Sequence, residues 1–100
     1  MNPMGYALVV TCIMNDSVDD VRVYAHRDEE SAKRTLEKVF DAQIKYEEDV
    51  IMKQNHTDAR GISELRTDKK YASIKVTDGG VEKVIRYTVG KLYGEEHLGT

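Results

Sequence analysis

Apolar and polar positions divide the chain into stretches with different periods. Tyr6 to Met14 (Tyr-Ala-Leu-Val-Val-Thr-Cys-Ile-Met) is apolar at both parities. Leu8, Val10, Cys12 and Met14 fall on one side, and Ala7, Val9 and Ile13 on the other. Such a β-rich run predicts a strand covered, or nearly covered, on both faces. An acidic loop, Asn15 to Asp20, follows. Then Val21, Val23 and Ala25 alternate with Arg22, Tyr24 and His26. This predicts a half-buried strand that pairs with the first as a hairpin and turns Arg22, Tyr24 and His26 to water.

The period then changes to that of a helix. Asp28 is a candidate N-cap, and Glu29 and Glu30 suit the positive end of the macrodipole. Ala32, Leu36, Val39, Phe40, Ile44 and Ile51 recur on one helical face, with Glu47 interrupting the stripe. No Gly or Pro occurs between Asp28 and Asn55, so a helix of about 24 residues and ~36 Å is predicted.

The second half reads as strands again. Lys53 to Gly61 is a polar loop, Ile62 to Arg66 a candidate short strand, and Thr67-Asp68-Lys69-Lys70 a turn. Tyr71 to Thr77 places Ala72, Ile74 and Val76 on one face. Asp78-Gly79-Gly80 is a hairpin turn, and Val81 to Val89 the return strand. Opposed residues of an antiparallel pair share a face. A two-residue loop therefore groups Val81, Ile85, Tyr87 and Val89 with Ala72, Ile74 and Val76, and leaves Lys83 to snorkel at the core rim. Gly90 to Thr100 reads as an irregular tail. The expected fold is α+β, in the order β-β-α-β-β-β: one domain over residues 1–100, with one long helix across an antiparallel sheet of four or five strands.

Composition narrows the function by exclusion. A chain of 100 residues with one cysteine, Cys12, has no internal disulfide framework and no Cys-based zinc ribbon. No apolar run approaches the ~18 residues of a membrane span. The start, Met1-Asn2-Pro3-Met4-Gly5, lacks the features of a signal peptide, so a cytoplasmic protein is expected. The formal charge of −3 is uneven: −5 over residues 15–50, +3 over 53–75 and −1 over 76–100. The acidic helix is interleaved with Lys33, Arg34, Lys38 and Lys45, the pattern of a solvated face rather than a phosphate-backbone mimic.

Few residues combine into chemistry. His26, His56 and His97 are far apart and lack close-spaced zinc-ligand pairs. Cys12 lies in a hydrophobic strand, where an inert thiol is expected. No P-loop, G-x-S-x-G or G-x-G-x-x-G motif occurs. Neither a cofactor nor a metal is expected. Parity brings Arg22, Tyr24, His26, Tyr71, Ser73, Lys75 and Arg86, with Thr88, to the sheet face away from the helix as the candidate binding face. Val9 and Ile13 would lie beneath that face with no second helix to cover them. The reading is a small non-catalytic interaction protein, a regulator or inhibitor that acts through contacts with a partner protein, and a weak homodimer through the same face or an edge strand. The alternative is single-stranded nucleic-acid binding through the interleaved aromatics and cations of that face. An enzyme ranks third.

Overall fold

The computed structural model describes residues 5–53 and 60–92. The elements are β1 (Gly5–Met14), β2 (Ser17–His26), α1 (Glu29–Lys53), β3 (Arg60–Leu65), β4 (Tyr71–Asp78) and β5 (Val81–Leu92). The fold is α+β: one helix lies on a five-stranded antiparallel sheet of order β2-β1-β5-β4-β3. β5 joins the two hairpins by pairing with β1 along its whole length, from Gly5 opposite Leu92 to Met14 opposite Lys83. The strand therefore continues three residues, Gly90 to Leu92, into the segment expected to be irregular tail, and residues 93–100 lie outside the described part.

Local chemistry sets the turns. Asn15 and Asp16 have φ of 47° and 68°, the pair of positive values a type I′ hairpin needs, and Asn and Asp tolerate them better than other non-Gly residues. Met14 and Ser17 are opposed across this turn, so β2 starts at Ser17; of the expected acidic loop, Asn15 and Asp16 are the turn and Ser17 to Asp20 are strand. Asn15 also fastens the turn to β5. Its Oδ1 accepts from the Glu82 backbone N–H at 2.8 Å, and its own N–H donates to the Glu82 carbonyl at 2.8 Å. In the second hairpin Asp78 faces Val81 around Gly79 and Gly80, with φ of 57° and 86°, the two-residue loop that parity requires. Gly5 answers a different need: a Cβ there would stand 2.4 Å from the His26 carbonyl oxygen.

The helix starts where the sequence predicts. Asp28 is its N-cap: its Oδ1 accepts from the Ser31 N–H at 2.7 Å and its carbonyl from the Ala32 N–H at 3.3 Å. The hydrogen bonds from Ser31, backbone N–H first and then hydroxyl, hold the Asp28 carboxyl below the ordinary carboxylate value. Ala32, Leu36 and Phe40 point into the sheet and are buried, with Val39 and Ile44 at the margin. Below them lie Leu8, Ala72, Ile74, Val76, Ile85 and Tyr87, all buried, and Phe40 meets Tyr87 edge-to-face at 5.7 Å. The acidic helix and the basic β3–β4 segment meet within the molecule. Lys69 pairs with Glu37 at 2.7 Å and Lys70 with Glu29 at 3.6 Å.

One strand is turned over relative to expectation. A two-residue turn with flush pairing would set Val21 opposite Val10 and Val23 opposite Leu8, under the helix. A β-bulge intervenes: Ile13 pairs with Val18 but Cys12 with Asp20, leaving Asp19 as the extra residue. From Asp20 onward every side chain of β2 changes face. Arg22 now opposes Val10 and Tyr24 opposes Leu8, on the helix side, while Val21 and Val23 join Thr11 and Val9 on the outer face. Val18, Val21 and Val23 are 65%, 53% and 60% exposed, where the sequence pattern buries Val21, Val23 and Ala25.

The face assignment is testable by substitution. Leu36→Ala, at a fully buried site, is expected to lose about 3 kcal/mol in denaturant unfolding. Val23→Thr on the outer face is expected to stay within about 0.5 kcal/mol. A loss of about 2 kcal/mol for the latter would return Val23 to the core.

Candidate binding groove and outer face

The candidate face of the sequence does not exist as one surface. Arg22, Tyr24 and His26 stand on the helix side of β2, whereas Tyr71, Ser73, Lys75 and Arg86 stand on the outer face. The bulge at Asp19 is the physical cause. The outer four are partly engaged among themselves and their neighbours. Lys75 pairs with Glu82 at 3.5 Å, and the Arg66 guanidinium lies 4.5 Å from the centre of the Tyr71 ring. His26 buries its Nε2 without a hydrogen-bond partner among the described residues. His56 and His97 lie outside the described residues.

The outer face thus has two unlike halves. Over β3, β4 and the near edge of β5 it is mainly polar, with Lys75, Arg86, Ser73, Thr77 and Glu82 beside the exposed Ile62. Over β2, β1 and the adjoining part of β5 it is apolar, with Val9, Ile13, Val18, Val21, Val23 and Val84. No element of the described chain lies over it.

On the opposite face the helix leaves the Asp19–Arg22 part of β2 open, while Tyr24 packs against the core. A groove of about 700 Å³ opens between α1 and the β1–β2 hairpin. Its floor is Val10, Cys12, Ile85 and Tyr87; the helix contributes Val39, Ala42, Gln43 and Tyr46, and β2 contributes Asp19, Asp20, Arg22 and Tyr24. Arg22 Nε donates to Asp20 Oδ2 at 3.0 Å. Cys12 is a free, half-buried thiol, pushed above its ordinary value by burial and then by Asp19, against the opposing pull of Lys83. That describes a protonated, weakly nucleophilic thiol. Burial pushes the Tyr87 hydroxyl up to about 12, with a further contribution from Glu47.

At the groove's lower edge the two polar anomalies of the sequence meet. Glu47, which breaks the helix stripe, is 7% exposed and forms an ion pair with Lys83, the misfit of the apolar face of β5. Gln43 Nε2 donates to the same carboxylate oxygen at 2.8 Å. Two charges out of register with their own elements are compatible once each is the other's partner. Their positions were the one sequence signal for this groove. Asp19, Gln43 and Tyr46 as lining residues had none, because strand register and helix placement bring them together.

Among the described residues no group of three or more His, Cys, Asp or Glu is arranged to hold a metal ion, and no helix is long and apolar enough to cross a membrane. Comparison with family models, with curated proteins and with solved structures finds no match to this chain.

Two outcomes follow from the buried groups. Lys83→Met alone strands the Glu47 carboxylate and is expected to cost about 3 kcal/mol, while Glu47→Leu with Lys83→Met recovers most of it. A double-mutant cycle by urea unfolding checks this, and additive losses would show the pair to be uncoupled. For Tyr87, a native pKa raised above the unfolded value contributes stability that is intact below about pH 10 and lost as pH rises toward about 12. Alkaline unfolding of the wild type should therefore steepen over that window, and Tyr87→Phe should remove that component.

Proposed function

We propose that this protein is a small non-catalytic interaction protein, that its contact surface is the valine-rich half of the outer sheet face, and that the surface it meets is the same face of a second copy. The observation that carries the reading is the row Val18, Val21 and Val23, each more than half exposed beside Val9, Ile13 and Val84. Isolated exposed valines are ordinary, but a contiguous set on one sheet face marks an interaction site.

Size and charge favour self-association. Three strands of about ten residues, spaced at about 4.8 Å, offer roughly 450 Å² per copy, so two copies bury roughly 900 Å², below the 1,200 Å² of standard interfaces. A contact of that size is weak and reversible. The valine row on β2 and β1 carries no charge and Arg86, opposite Thr11, borders it, so a two-fold arrangement of valine row on valine row that offsets the two Arg86 side chains opposes no like charges and leaves the polar halves in water. Aligned sheet-on-sheet packing supplies the geometry.

Light scattering over a concentration series tests this. The mass should rise from monomer toward dimer, with a dissociation constant on the order of tens of micromolar or weaker. Val21→Lys with Val23→Lys should hold the protein monomeric with its melting temperature kept. A monomeric mass up to about 1 mM, or association unchanged in the double variant, would overturn the reading.

A further inference from the structure

The groove between α1 and the β1–β2 hairpin lies on the face opposite the valines and is independent of them. Its volume, about 700 Å³, falls in the range of sites for small molecules. Most of its charges are already matched: Arg22 is held by Asp20 at 3.0 Å, and Lys83 by Glu47. Asp19 has no ion-pair or hydrogen-bond partner among the described residues. It is also the extra residue of the bulge. In a regular strand Asp19 and Asp20 would point to opposite faces. Here both line the groove, so the irregularity adds a carboxylate to this site that regular pairing would send elsewhere.

A second, independent feature is Tyr87. The residue is 2% exposed, lines the groove floor, and its hydroxyl has no hydrogen-bond partner among the described residues. An N–H donor entering the groove would find its oxygen as an acceptor. Tyr24 and Tyr46 add two further aromatic rings to the lining. Tyrosine faces attract organic cations. The field inside has the same sense: at Cys12 three carboxylates, Asp19, Asp20 and Glu47, act against one cation, Lys83.

We propose that this groove binds a small organic cation, bearing an alkylammonium or guanidinium group, with Asp19 as its counter-ion, the Tyr87 hydroxyl oxygen as acceptor, and Tyr24 and Tyr46 as aromatic walls. The pairs Arg22–Asp20 and Lys83–Glu47 keep the fixed cations of the groove occupied, so the incoming charge is met by Asp19.

Amide NMR titration with agmatine, which carries both kinds of cationic group, tests the proposal, with succinate as an anionic control of similar reach. Agmatine should give saturable shifts at Val10, Cys12, Tyr24, Gln43 and Tyr87, and succinate none. Asp19→Asn changes one exposed carboxylate to an amide and is expected to weaken binding about tenfold. Tyr87→Phe keeps the ring and its packing and should weaken binding about threefold. Both variants should keep near-wild-type melting temperatures. The Val21→Lys, Val23→Lys protein should bind agmatine as the wild type does, which separates this site from the outer face. The proposal is overturned by any of four results: no saturation up to about 10 mM, equal binding of succinate, undiminished binding to Asp19→Asn, or shifts confined to the outer surface of the helix. A capped arginine peptide that binds more tightly than agmatine would overturn the small-molecule assignment.

Discussion

A helix with its side chains is about 10–12 Å across, whereas five strands at about 4.8 Å spacing make a sheet roughly 24 Å wide. One helix can therefore cover only about half of one sheet face, and none of the other. The rest of the molecule follows from that limit. The covered part is the core, where Leu36 and Phe40 sit over Leu8, Ile74, Ile85 and Tyr87. Beyond one flank of the helix, the Asp19–Arg22 part of β2 is left open and the groove forms. Beyond the other flank, Gly61 and Ser63 of β3 meet only the margin of the helix, around Ile44 and Glu48. The entire outer face is left to solvent or to another surface.

Within this limit, charge positions the helix. Its N-terminal half is drawn to the β3–β4 turn by Glu29 and Glu37 against Lys70 and Lys69. Its C-terminal half is held at the start of β5 by Glu47 against Lys83. The first two contacts are exposed and individually weak. The third is largely desolvated and specific, because either charge alone would be costly where it lies. The imbalance between an acidic middle and a basic following segment is thus resolved mostly inside the molecule.

The bulge at Asp19 then decides what the uncovered surfaces are made of. Flush pairing would place Val21 and Val23 under the helix, turning Arg22, Tyr24 and His26 outward into one face with Tyr71, Lys75 and Arg86. The one-residue shift reverses this. It puts valines beside the apolar outer side of β1, and it gives the groove Asp19, Asp20, Arg22 and Tyr24. One surface becomes uncharged and the other polar and aromatic, which is why their proposed occupants differ so much in chemistry.

By itself the sequence determined the element types and their order, the helix start at Asp28, the Gly79-Gly80 loop, and the common face of Ala72, Ile74, Val76, Ile85 and Tyr87. These depend on local chemistry: side-chain period, a capping carboxylate, and glycines that accept positive φ. It also marked Glu47 and Lys83 as misfits without pairing them. Only the tertiary structure decided the face of β2, and with it the composition of the groove and the outer face. The reason lies in β1. Because Leu8, Val10 and Cys12 are matched on its other side by Ala7, Val9 and Ile13, β2 finds apolar neighbours in either register. Alternation along β2 shows that its faces differ, but not which one the helix will cover.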